Sequence, residues 1–129
     1  MSNKTLLITA ALLGLTSVVF GAFGAHGLKA LITVEAQQTF ETGVRYQMYH
    51  ALLLLFAGST SFISNKSKKY IYYLVVVGVL FFSGSIYGLA TNALTGFDFR
   101  KIALVTPVGG LLLILGWSIM LVDFVKNKL

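Results

Sequence analysis

Two histidines, His26 and His50, are the side chains of this chain best suited to ligand or proton chemistry. His50 closes a dense polar run, Arg45, Tyr46, Gln47 and Tyr49. On a helix Tyr46 and His50 are four apart and share a face, and Gln47 and His50, three apart, also meet. Glu41 precedes Arg45 by one turn, the spacing of a stabilising ion pair. Asn92, Asp98 and Arg100 form a second polar group. Several chemistries suit these residues. Two imidazoles on antiparallel helices can ligate a haem from both sides of the ring. Tyr, Gln, His and Arg suit the headgroup of a lipid or a quinone. A proton or solute path needs polar residues along its whole length, and the downstream half supplies only Ser83, Ser85, Thr106 and Ser118. The structural alternative leads. Polar groups inside a membrane bond helix to helix, at about 0.6–2 kcal/mol each, and fix their register.

Other chemistries are excluded. No metal site is expected from two histidines, Met48 and no cysteine, because first-row metals want three or four ligands. No G-x-S-x-G, H-E-x-x-H or Gly-rich phosphate loop is present. The two aspartates, Asp98 and Asp123, fall near opposite membrane faces, which argues against an intramembrane protease. The net charge of +6 comes from basic residues that flank apolar segments, where they anchor helices, so nucleic acid is not an expected partner.

The elements that position these residues follow from the distribution of charge. Residues 5–28, 46–65, 70–97 and 102–122 contain no Asp, Glu, Lys or Arg, and these gaps hold 24, 20, 28 and 21 residues. Crossing the hydrocarbon of a bilayer takes about 20 apolar residues. Only 11% of the chain is charged, against about 25% in a soluble domain. The expected fold is all-α: a four-helix transmembrane bundle forming a single integral membrane domain, residues 1–129, with spans near 5–24, 45–63, 70–91 and 102–124. Lys4, the apolar run after it and the small residues at 21–25 mimic a signal peptide, but the run is long enough to span and reads as an uncleaved first helix.

A short amphipathic helix is expected between the first and second spans, lying in the interface. Thr33 is its N-cap and Glu35 meets the dipole in its first turn. Ala36, Phe40 and Val44 repeat every fourth residue on its apolar face. Gly43 is the expected bend into the second span, since a straight helix from Thr33 to Ile63 would reach about 46 Å. Residues 64–69 read as a basic turn. Tyr70, Tyr72 and Tyr73 are interface anchors. Pro107 is expected to kink the fourth span, the alternative being that Thr106 caps a helix starting at Pro107. Two small-residue pairs, Gly21 with Ala25 and Gly84 with Gly88, are expected to allow close helix packing within or between chains.

Lys and Arg set the orientation. With four spans, Lys4, Lys66, Lys68, Lys69, Lys126 and Lys128 share one side, six in all, against four (Lys29, Arg45, Arg100 and Lys101) on the other. Both termini are therefore expected in the cytoplasm. His26, Glu41, Arg45, Tyr46, Gln47, His50 and Asn92 then gather at the non-cytoplasmic end as the candidate polar cluster, with His50 about one turn inside the hydrocarbon.

Four motifs carry a resemblance: Gly21-Ala22-Phe23-Gly24-Ala25-His26-Gly27-Leu28, Glu41-Thr42-Gly43-Val44-Arg45-Tyr46-Gln47-Met48-Tyr49-His50-Ala51-Leu52, Ser83-Gly84-Ser85-Ile86-Tyr87 and Thr106-Pro107-Val108-Gly109-Gly110. On these the chain resembles, over essentially its whole length, a small bacterial membrane-protein family catalogued as domain of unknown function 423. That family is similar to eukaryotic transmembrane protein 256. The resemblance implies a four-helix inner-membrane protein and supplies no reaction. His26, Arg45, Tyr46, Gln47 and His50 lie inside its motifs. The functional expectation is a non-catalytic accessory or assembly partner needing no cofactor, in contact with membrane lipid and with other membrane proteins or itself. Its alternatives are a binding module for a lipid, quinone or haem near His26 and His50, and a small transporter or channel.

Overall fold

Apolar helices in lipid satisfy their own backbone; the chain is built from four helices, three of them of that kind. The computed structural model describes residues 2–96 and 98–127; Lys128, counted above in the charge bias, lies outside them. The order is α1 (Asn3–His26), α2 (Val34–Ser59), α3 (Asn65–Ala90), two short 3-10 turns (Asn92–Leu94 and Phe99–Ile102) and α4 (Val105–Lys126). No strand occurs among the described residues. α1, α3 and α4 are each long and apolar enough to cross a membrane. α2 carries Glu41 and Arg45 within its body and does not meet that test.

Short connections make successive helices antiparallel. α2 lies beside α1 with Gly14 at Ala51, Gly21 at Val44, Gly24 at Phe40 and Gly58 at Leu6 and Leu7. α3 lies beside α2 with Gly43 against Ile86 and Tyr87. α4 lies beside α3 with Gly109 at Phe81 and Phe82, and Gly116 at Val75. The main core joins Leu6 and Ala10 of α1, Leu53, Leu54 and Ala57 of α2, Ile71, Val75 and Val79 of α3, and Leu113 and Met120 of α4. A smaller cluster of Leu28, Phe40 and Ala90 closes the end where α1 meets α2. Outside, α1 exposes Ile8, Leu12, Leu15 and Val19, and α4 exposes Leu111, Ile114, Leu121 and Val125. Apolar stripes of that extent suit lipid and not water.

The structure corrects the expected element boundaries. The amphipathic segment exists, capped by Thr33, whose hydroxyl accepts from Ala36 N at 3.1 Å, but it is not a separate interfacial helix. It forms the opening turns of one continuous α2. Gly43 does not interrupt it. A Cβ on it would stand 2.8 Å from the Tyr87 ring and 3.0 Å from Ile86, so glycine serves the close approach of α3. The basic turn at 64–69 is helical too. Ser64 caps α3, accepting from Ser67 N at 3.3 Å, and the helix starts at Asn65. α2 ends earlier, at Ser59. α4 neither kinks at Pro107 nor begins there: it starts at Val105, which leaves Pro107 in the first turn, where a missing N–H costs nothing. Ile102, assigned in sequence to the fourth span, instead closes the 3-10 turn Phe99–Ile102 that precedes it.

The small residues are used differently from the expectation. Gly88 is covered by the ring of Phe99, 2.5 Å from where its Cβ would be, and not by a helix. Gly84 is exposed and has nothing within 4 Å. The tightest helix crossing among the described glycines belongs to Gly109, where a Cβ would collide with the backbone of Phe81 and Phe82. Gly21 does face α2, where a Cβ on it would stand 3.4 Å from Val44, while Ala25 is exposed.

Candidate functional site

The polar run of α2 divides by face. Gln47, buried, points inward and ties three helices together. Its Nε2 donates to Leu13 O at 2.9 Å and to Thr16 Oγ1 at 2.6 Å on α1, and its Oε1 accepts from Tyr87 OH at 2.6 Å on α3. Four residues earlier, Ser83 Oγ of α3 donates to Gly43 O at 2.7 Å. His50, 3% exposed, faces α4. Trp117 Nε1, which can only donate, gives its proton to His50 Nε2 at 3.1 Å. Nδ1 must then carry the imidazole proton and donate to Tyr46 O at 2.6 Å. Both ring nitrogens are occupied, which holds the neutral tautomer. Tyr46 lies half open beside this ring, stacked on His50 at 6.4 Å and packed on Phe82 at 4.8 Å. Ser85 and Thr106 join α3 to α4 by a hydroxyl–hydroxyl bond.

His50 is deeper than expected. Ala51 lies beside Gly14, the twelfth residue of the 24 in α1, so the imidazole is at mid-height of the bundle. The reason is that α2 begins at Val34 and uses three turns before Arg45. His26 is the last residue of α1, exposed and without a hydrogen-bond partner among the described residues. Along the axis it is about 16 Å from the level of His50, at 1.5 Å per residue. The two imidazoles therefore do not face one another across a ring-sized gap. Asn92 belongs to neither: its Nδ2 donates to Asp98 Oδ1 at 3.2 Å, and its Oδ1 accepts from Phe99 N at 2.8 Å. Asp98 also accepts from Arg100 Nε at 3.0 Å and Nη2 at 3.1 Å. The Arg100 side chain, its backbone N–H and the Asn92 amide hold this carboxyl well below its usual range, at about 2.

Glu41 and Arg45 point the other way. Both are exposed, and the expected pair between them is not formed: among the described residues the sole ion pair is Arg100–Asp98. They line a cleft of about 420 Å³ between α1 and α2, together with Gln37, Phe40 and Val44. Its other wall is Gly21, Gly24 and Ala25. The glycines make the cleft possible: a Cβ on Gly24 would be 2.7 Å from the Phe40 ring. Gln37 stiffens the rim by donating to Lys29 O at 3.0 Å and Ile32 O at 3.3 Å. So the two longest motifs of the sequence, 21–28 and 41–52, converge on one groove. Sequence reasoning missed Thr16, Tyr87 and Trp117 as partners of the polar run. Tyr87 carried a signal, since it ends the Ser83–Tyr87 motif and falls a turn after Ser83; Trp117 carried none beyond being an aromatic residue in an apolar helix.

Comparison with known proteins agrees with the motifs. The family model described as "Protein of unknown function (DUF423)" matches residues 20–110. A UPF0382 membrane protein of Staphylococcus haemolyticus is 38% identical over 95% of this chain and 97% of its own length. A UPF0382 membrane protein of Haemophilus influenzae is 35% identical over 99% and 98%. The UPF0382 inner membrane protein YgdD of Escherichia coli is 35% identical over 99% and 95%. No solved structure matches the chain.

Proposed function

From the premise that this chain belongs to the family of unknown function DUF423, we propose that it is a non-catalytic inner-membrane protein that acts as an accessory or assembly partner, engaging another membrane protein through the α1–α2 cleft. One observation carries this reading. The polar side chains of α2 that face the interior are spent on neighbouring helices, whereas Glu41 and Arg45 flank an open cleft with no ionic partner among the described residues. A charge at the edge of the hydrocarbon without a partner in its own chain is costly, and a partner outside relieves that cost. α2 packs antiparallel between α1 and α3 along its length, which supports counting it as the fourth crossing. Four crossings put Lys4, Lys66 and Lys126 at one end, the cytoplasmic one by the bias of basic residues.

A photo-reactive amino acid in place of Glu41 or Ala25, with irradiation of intact cells, tests the proposal. The expected result is a discrete heavier species from both positions and none from Tyr73, on the exposed face of α3. Equal or absent products at all three positions would remove the assembly reading. The size of the cleft favours a second reading, a lipid or quinone headgroup held by Arg45, Glu41 and Gln37. It predicts a lipid or quinone that co-purifies with the native chain and is lost from Arg45→Gln.

A further inference from the structure

The far end of the bundle holds a separate cleft of about 430 Å³ between the start of α3 and the end of α4. Lys66, Tyr70 and Lys126 line its mouth, and Leu115, Ile119 and Val122 form its apolar wall. Asp123 is also there, but its carboxylate is already engaged. It accepts from Ser64 N at 3.0 Å, Ser64 Oγ at 2.8 Å, Ser67 Oγ at 2.7 Å and Asn127 Nδ2 at 2.9 Å. Lys66 and Lys126 have no hydrogen bond or ion pair among the described residues. Two ammonium groups against one carboxylate leave a surplus of one positive charge, which matches one phosphodiester. The apolar wall runs from that charge toward the middle of α4, along the path of an acyl chain, and Tyr70 is placed at the level where amphipathic rings meet headgroups. We propose that this cleft is a binding site for an anionic phospholipid, with the phosphate on Lys66 and Lys126 and one acyl chain along Leu115, Ile119 and Val122. It shares no residue with the α1–α2 cleft and stands or falls independently of it.

Thermal unfolding of the intact protein in dodecylmaltoside, followed by Trp117 fluorescence, tests the site. Dioleoylphosphatidylglycerol should raise the midpoint, whereas equal mole fractions of dioleoylphosphatidylcholine or millimolar inorganic phosphate should not. The variant Lys66→Gln/Lys126→Gln should need about twenty-five-fold more phosphatidylglycerol for the same rise, since each basic residue near an anionic surface contributes about fivefold. Lys29→Gln/Lys101→Gln, at the opposite end, should respond like the native chain. Three results overturn the proposal: equal responses to the two lipids, an undiminished response in Lys66→Gln/Lys126→Gln, or the same rise with inorganic phosphate. Native mass spectrometry of the unmodified chain with both lipids at equal concentration is the check that needs no variant. Phosphatidylglycerol adducts should dominate, and equal adducts refute the site.

Discussion

The inner and outer faces of α2 carry the same kind of residues and do opposite things with them. Inside, Gln47 and His50 have every polar atom matched, His50 Nδ1 by Tyr46 O one turn away and the others across 31 to 67 residues in sequence. Outside, Glu41 and Arg45, within the same motif, have no ionic partner among the described residues and open onto a cleft. Where lipid removes most of the hydrophobic drive between helices, matched polar groups and close glycine contacts supply the specificity of packing. The unmatched ones are then free for a role outside the chain. The difference teaches that polarity alone does not mark a site in such a protein; the direction of a side chain on the helix decides it.

The comparison can be broken most strongly at Gly43. Gly43→Val forces new atoms against Tyr87 and Ile86, and overpacking of this kind costs about 3 kcal/mol. Loss of the folded population in a denaturant titration of detergent-solubilised protein checks it. Gln47→Leu comes next. It leaves the Tyr87 hydroxyl without its acceptor, removes both bonds to α1 and should cost about 2 kcal/mol in the same titration. His50→Phe should cost about 1 kcal/mol. It also removes the acceptor of the single tryptophan, so Trp117 emission should move to shorter wavelength. On the outer face, Arg45→Gln should change stability by less than about 0.5 kcal/mol while abolishing the photo-crosslink from Ala25. A destabilisation as large as that of Gln47→Leu would erase the distinction between the faces.

The smallest effect concerns a partly exposed acid that does have a partner. Asp98 titrates near 2 in the fold against an ordinary value of 3.8, chiefly because the Arg100 side chain bonds its charged form. A lowered pKa adds stability above the unfolded value, and that increment fades as pH falls from about 4 to about 2. Carboxyl carbon shifts measured against pH should place the Asp98 midpoint near 2, and Arg100→Gln should return it toward 3.8. Because Arg100 is exposed and Asp98 partly so, added salt should weaken the effect.

Much of the architecture was legible because it depends on composition and local chemistry. Uninterrupted apolar runs marked α1, α3 and α4, and Thr33 and Glu35 marked the start of α2. Boundaries misread the balance between local and tertiary forces. Gly43 between a polar and an apolar stretch looks like a hinge, yet it is the place where α3 comes closest. Lys66, Lys68 and Lys69 look like a loop, yet Ser64 caps a helix there, and Lys68 is buried with its ammonium donating to Asn3 Oδ1 and Thr60 O.

For the candidate site, sequence named Glu41, Arg45, Gln47 and His50 from one motif but grouped them with His26, about 16 Å along the axis from His50, and with Asn92, whose amide bonds Asp98 and Phe99. Residue types and run lengths are local properties, and they determined that four helices form and that lipid suits the surface they present. Which polar side chains meet is a matter of helix rotation and register. Those are set only when glycines at 24, 43 and 109 let particular backbones approach, so the partnership of Gln47 with Tyr87, of His50 with Trp117, and the isolation of Glu41 and Arg45 were decided by the tertiary structure.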